Sequence, residues 1–265
     1  MLTAVIITLR EVLEAALLIS ILSAMSVALA ISRRWIFWSL GIGLLGSLLL
    51  GSSVATITGA FDGVGQEVVS ALMQIIIYLL LTIFVVRLQT TTNARHRNDR
   101  LLQVTMSGVV ALSTTREGFE ILVYVIGFTH DLEYLLNILT GMMVGTGIGV
   151  SIGALIYYLL SSMQDSMIRI AGSLLLILIA GSVLSQASLL LIQADWLPSQ
   201  LPLWDSSWLI SEHSVPGQLL YALLGYEATP TLIQAGCYLG GVLLLLALAL
   251  VAHWYSRSGD DADAD

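Results

Sequence analysis

Two short stretches place charge inside apolar runs at helical spacing. They are Arg10-Glu11-Val12-Leu13-Glu14 and Arg116-Glu117-Gly118-Phe119-Glu120, each of the pattern R-E-x-x-E. Glutamates three apart share a helix face, so both carboxylates of a motif can reach one ligand. The Arg lies four residues before the second Glu and can pair with it. Together the motifs bring four carboxylates and two guanidiniums, a net negative, oxygen-rich set suited to a multivalent cation. A charge at mid-bilayer costs at least about 2.5–3.5 kcal/mol on insertion scales, so six of them need a purpose. Two readings stand. The motifs hold a cation between their helices, or they form a salt-bridge network that only locks those helices together. Duplication of the motif favours the first.

The elements that carry these residues are membrane helices. Of 265 residues, 57% are hydrophobic and 11% charged, and the mean hydropathy is +0.91. Soluble domains carry about 25% charge. This composition excludes an ordinary soluble enzyme, a disordered chain and a nucleic-acid binder with a basic face. Cys237 is the single cysteine, which excludes an internal disulfide or a thiolate cluster within one chain. Apolar windows predict seven spans near 3–31, 34–60, 65–88, 103–129, 133–160, 168–193 and 229–254. The fold class expected is all-α: one polytopic transmembrane domain over 1–258, with 194–228 as an outer loop. An acidic cytoplasmic tail, 259–265, follows. The first span lacks the basic start of a cleavable signal and is expected to be retained.

Arginine sets the orientation. All ten basic residues are Arg, and the eight outside the motifs are Arg33, Arg34, Arg87, Arg95, Arg97, Arg100, Arg169 and Arg257. With seven spans they share one side, which the positive-inside rule makes cytoplasmic, leaving the N-terminus outside. The other side carries Asp62, Glu67, Asp131, Glu133, Asp195, Asp205, Glu212 and Glu227 with no basic residue. Such a face would concentrate cations. It is also what the topology rule alone leaves behind.

Both motifs fall near the middle of a ~30 Å core at 1.5 Å rise per residue. Three spans separate them, so their helices run antiparallel. This is the layout of a 3+3 inverted-topology repeat, about 1–90 against 103–193, with the site at the midplane and the seventh span as an addition. Glycines mark spans two and five alike: Gly41, Gly43, Gly46 and Gly51 answer Gly141, Gly145, Gly147, Gly149 and Gly153.

Paired R-E-x-x-E motifs in spans one and four of a seven-span chain resemble the high-affinity iron permease family, which includes fungal oxidase-coupled and bacterial Efe-type members. Leu203-Trp-Asp-Ser-Ser-Trp, Gly217-Gln-Leu-Leu and Leu224-Gly-Tyr226 with Pro230 are similar to the same family. The resemblance covers essentially the whole chain. It implies iron, ferric or ferrous, imported across a bacterial inner membrane as substrate, with no enzymatic activity and no organic cofactor. It makes Glu11, Glu14, Glu117 and Glu120 the metal ligands and Arg10 and Arg116 their supporting ion pairs. It also implies a periplasmic partner that delivers or oxidises iron. No counterpart of the large N-terminal periplasmic domain of some bacterial members is expected, so delivery is expected from separate proteins. Lipid is the other expected partner, nucleic acid is not, and a homo-oligomer remains open.

Other polar positions have two readings each. Asp62 and Glu67 are first contacts for an incoming ion or solvated acids. Asp205, Glu212 and His213 receive iron or dock a partner, or simply form a wet loop. Gln74, Tyr78 and Gln186 bond a motif Glu or a neighbouring helix. No two histidines share a span, which argues against a bis-His haem, and no protease, hydrolase or nucleotidase pattern occurs. The competing functions are transport of another cation, such as lead or manganese, and a non-transporting membrane subunit.

Overall fold

The computed structural model describes residues 1–90, 99–128, 132–212 and 214–262. Arg95, Arg97, His96, His130, Asp131 and His213 lie outside them. The described chain is all-helical: α1 (Leu2–Ala28), α2 (Arg34–Ser52), α3 (Val54–Thr58), α4 (Gly65–Thr90), α5 (Arg100–Ile126), α6 (Leu132–Ser161), α7 (Asp165–Gln193), α8 (Val215–Leu224) and α9 (Leu232–Ala262). Five of these, α2, α4, α6, α7 and α9, are long and apolar enough to cross a membrane. The helices α1 and α5 match them in length at 27 residues each, and each carries one R-E-x-x-E motif.

Three expectations need correction. The second apolar run does not continue to 60: α2 ends at Ser52, a one-turn helix follows, and Phe61 and Asp62 adopt positive φ of 51° and 62°. Gly51, Ser52 and Ser53 break the helix while hydropathy stays high. The expected outer loop contains the helix α8, capped by the Ser214 hydroxyl accepting from the Gly217 N–H at 3.1 Å and closed by Gly225 at φ +68°. Finally, the seventh helix does not end near 254: α9 runs from Leu232 to Ala262.

The long helices pair in a regular scheme. The pair α1 and α6 run parallel, with Gly141, Gly145, Gly149 and Gly153 in turn against Ala4, Val5, Val12 and Ala16. Likewise α2 and α5 run parallel, with Gly43, Gly46 and Gly51 against Thr114, Thr115 and Leu122. A hydroxyl-to-glycine bond spans each seam: Ser20 Oγ donates to Gly153 O at 2.7 Å, and Thr115 Oγ1 to Gly43 O at 3.3 Å. Lipid tails are as apolar as leucine, so close contact and polar bonds, rather than water exclusion, hold such pairs. The helices α4 and α7 run antiparallel through the centre, joined by Gln74 Nε2 donating to Gln186 Oε1 at 2.5 Å. Against them lies α9, where Gly241 O accepts from Tyr78 Oη at 3.1 Å. Tyr78 therefore serves helix packing and not a motif Glu.

One end of the bundle gathers Arg33, Arg34, Arg87, Arg100 and Arg169. Arg33 bonds the Tyr157 hydroxyl at the far end of α6, and Gln89, Arg169 and His253 line one cavity. The other end holds Met1, Asp62, Glu67 and the 194–231 segment, with Phe61 edge-on to Trp196 at 5.9 Å. We call these the arginine end and the acidic end.

Asp99, at the arginine end, caps α5. Its Oδ1 accepts from Leu101 N–H at 2.9 Å, and its Oδ2 from Arg87 Nε at 2.8 Å. Burial pushes its carboxyl up, but the Arg87 bond and the two backbone N–H groups outweigh that and hold it below the usual 3.8. The folded pKa is depressed, so the stabilisation is present above 3.8 and is lost as pH falls through the folded value.

Two predictions follow from this packing. A Cβ on Gly145 would meet Val5 O at 2.6 Å and Leu9 N at 3.0 Å, both backbone, whereas a Cβ on Gly147 would meet nothing from another helix within 4 Å among the described residues. In thermal unfolding in detergent micelles, Gly145→Val should therefore cost about 1–3 kcal/mol, and Gly147→Ala should stay within about 0.5 kcal/mol of wild type. Asp99→Ala should cost about 1 kcal/mol at neutral pH, a difference that shrinks towards zero as the pH is lowered below the usual carboxylate range.

Candidate metal centre

The two motifs meet where α1 crosses α5. Both helices place their Glu pairs on the face turned to the other because three residues make almost one turn. Glu11, Glu117 and Arg116 are buried, and Glu14 and Glu120 are partly so. One carboxylate oxygen each from Glu11, Glu117 and Glu120 lies within 4.8 Å of the other two. Three oxygens so spaced can converge on one cation with small side-chain shifts.

Arg116 is the centre of the network. Its side chain is 5% exposed and reaches Glu117 at 2.9 Å, Glu14 at 3.0 Å and Glu120 at 2.5 Å. Gln186 Oε1 also accepts from Arg116, at 3.3 Å, and Gln186 Nε2 donates to Glu14 at 3.3 Å. Gln186 thus touches a motif Glu, while Gln74 holds Gln186 in place. Even so, Glu11 Oε2, Glu14 Oε1 and Glu117 Oε2 are buried with no hydrogen-bond partner among the described residues. Unsatisfied buried carboxylate oxygens are costly, and a bound cation would satisfy them. Glu14 stands outside the three-carboxylate group and is engaged by Arg116 and Gln186 instead.

Space is distributed unevenly around this network. A cavity of about 20 Å³, enough for one water, is lined by Glu14, Gln74, Ser113, Arg116 and Glu117. Toward the acidic end, Glu67 and Glu120 line a second cavity of about 330 Å³ with Gln66, Ser70 and Tyr124. Glu67 Oε2 is buried there without a partner among the described residues. Toward the arginine end the interior is filled instead by a continuous apolar cluster including Leu18, Ile21, Met25, Leu81, Phe84 and Leu176.

The remaining candidates lie apart from the carboxylates. Asp62 is exposed on the turn before α4 and does not line the Glu67 cavity. Asp205 is exposed, and the Ser207 backbone N–H (2.9 Å) and hydroxyl hold its carboxyl below the usual range. Glu212 is a structural brace: its Oε1 accepts from Ala228 N–H and its carbonyl from Gln218 Nε2, both at 2.5 Å. Within the Trp-Asp-Ser-Ser stretch, Ser206 is tied to the Tyr226 hydroxyl at 3.0 Å and to the Ala228 carbonyl at 3.2 Å. Burial, with Glu212 nearby, pushes the Glu227 carboxyl in this segment up. Sequence reasoning missed Tyr221 on α8, whose hydroxyl accepts from Arg10. Its place inside the Gly217–Tyr226 stretch was the available signal.

These features define a multi-pass helical membrane protein with a cluster of carboxyl and guanidinium groups buried between two of its helices. The chain belongs to the iron permease FTR1 family, whose model matches residues 1–259. This is a family of permeases, so iron transport is the activity it implies. No curated protein and no solved structure matches the chain.

Removing Arg116 would leave several acids uncompensated in a low-dielectric interior. Arg116→Met should lower stability by roughly 3–5 kcal/mol in thermal unfolding. Adding Glu117→Gln to that variant should restore part of the loss, because one buried charge is then removed with its partner.

Proposed function

We propose that the protein is an inner-membrane iron permease of bacterial type, with the N-terminus outside and the C-terminus in the cytoplasm. In this reading seven helices span the membrane: α1, α2, α4, α5, α6, α7 and α9. The pairing scheme supports a 3+3 inverted repeat. Exchanging α1, α2 and α4 for α5, α6 and α7 maps the α1–α6 pair onto α5–α2, and the α4–α7 pair onto itself.

The observation that carries the proposal is the approach of one oxygen each from Glu11, Glu117 and Glu120, drawn from both motifs, to within 4.8 Å of one another, with buried oxygens of Glu11 and Glu117 unsatisfied among the described residues. Iron arrives at the acidic end, passes Glu67 and Glu120 in the wide cavity, and binds the carboxylates. Glu14 joins when Arg116 releases it. The apolar cluster on the arginine side closes the way to the cytoplasm until the helices rearrange. Hard oxygen donors accept ferric and ferrous iron alike, and manganese too. A periplasmic protein supplies the iron, and no chemical conversion is assigned to this chain. A helix lock without transport would not need the Glu67–Glu120 cavity.

Uptake of radioactive iron into proteoliposomes, offered as ferrous and as ferric ion, tests this. Glu14→Ala and Glu120→Ala should each cut uptake by roughly tenfold or more, a loss of about 1.4 kcal/mol or more in binding. Unchanged uptake in both variants would remove the site. Equal uptake of manganese would demote iron, and no uptake of any cation by well-folded protein would leave only the structural reading.

A further inference from the structure

The two motif arginines, equivalent in sequence, are used differently. Arg116 is 5% exposed and bonds three carboxylates. Arg10 is 40% exposed and stands 3.6 Å from Glu14, its nearest acid. That gap is too long for a hydrogen bond. Arg10 Nε and Glu14 Oε1 are accordingly both buried and without a hydrogen-bond partner among the described residues. Two groups made for each other are being held slightly apart.

What holds them is Tyr221. An Arg10 terminal nitrogen donates to its hydroxyl, and the guanidinium carbon lies 4.2 Å from its ring centroid, within cation–π range. Tyr221 belongs to neither motif helix. It projects from α8, which packs on α1 and α7, and whose neighbour Ala222 lines the small cavity beside Glu14 and Glu117. The helix α8 is in turn fixed by the surrounding segment. Ser214 caps it, Gln218 binds the Glu212 carbonyl, and Tyr226 Oη donates to Ile210 O at 3.0 Å.

The consequence is electrostatic. With Arg10 drawn onto Tyr221, Glu11, Glu117 and Glu120 face one guanidinium, that of Arg116, and the carboxylate oxygens it does not bond stay open to a metal. If Arg10 moved onto these acids, it would occupy with a fixed cation the oxygens a metal needs. We propose that Tyr221 is a positioning residue that holds Arg10 off the carboxylate cluster, so that the 194–231 segment sets the affinity of the metal centre through α8. This rests on the cation-binding reading of the cluster and adds to it a route by which a ligand or protein on the acidic face alters metal binding.

The test is a thermodynamic cycle on the full chain in detergent, read by calorimetric titration with manganese(II) and, without oxygen, with ferrous ion. Tyr221→Phe keeps the ring and removes the hydroxyl, and Tyr221→Leu removes both. Each should weaken binding, Tyr221→Leu by roughly tenfold. In an Arg10→Gln background the same substitutions should change affinity less than about twofold, because no guanidinium remains to intrude. Monodisperse elution and an unchanged unfolding temperature establish folding, and Tyr221→Phe decides the matter if Tyr221→Leu does not fold. Wild-type binding that Glu120→Gln abolishes, with Tyr221 variants that bind normally or weaken equally in both backgrounds, would overturn the positioning role and leave the metal centre standing. Absence of binding by folded wild type would overturn the metal centre itself, and the positioning role with it.

Discussion

The structure turns on the difficulty of keeping a guanidinium charged where water is scarce. Arg116 is almost fully enclosed, and such a group persists only if carboxylates and neutral acceptors surround it. Glu14, Glu117, Glu120 and Gln186 do so from three helices. Their positions constrain the rest: α1 must cross α5 at Glu14, α7 must bring Gln186 to the same depth, and α4 must place Gln74 behind it. One cation cannot satisfy four acids, so oxygens remain unpaired on Glu11, Glu14 and Glu117. The network is stable enough to persist and incomplete enough to accept a further charge.

The glycine seams are how the backbone allows this. Thr114 and Thr115 lie two and one residues before Arg116, and Gly118 follows Glu117; these pack against Gly43, Gly46 and Ser47. On the other side, Val12 lies between Glu11 and Glu14 and packs against Gly149. Each motif helix therefore carries small, close contacts on the face away from its charges. Its polar face stays free for the partner motif. The surroundings differ on the two sides of the cluster. Polar walls and open volume lie toward Glu67, and close-packed leucine, isoleucine and phenylalanine lie toward the arginines.

The sequence made the long helices and the motifs legible, because charge inside an apolar run and small-residue spacing are local patterns. Helices at 65–90 and 165–193 fall within three residues of the expected spans. The break after Ser52 was invisible to hydropathy, since Val54, Ala55 and Ile57 keep the run apolar while the backbone turns. The helix α8 was missed for the opposite reason. Ten residues are too few to register as a span, although Ser214, Pro216 and Gly225 are ordinary cap residues. Asp62 and Glu67, close in sequence, parted in space: the turn leaves one in solvent and the other on a cavity wall. The Arg10–Tyr221 contact joins residues 211 apart, and no local pattern encodes it.

The distance between partners along the chain has a biosynthetic consequence. Glu14 waits 102 residues for Arg116, and α1 finds its parallel neighbour α6 later still. At about 5–20 residues per second, the ribosome leaves α1 unaccompanied for roughly 5–20 s. During that interval Glu11 and Glu14 have only Arg10 of their own helix as a counter-ion, and α6 has yet to be made. The nascent helix must be sheltered by the insertion machinery or lie shallow in the bilayer, and final burial is delayed until the second motif emerges. Completion of the charged network is thus timed by the arrival of a single arginine.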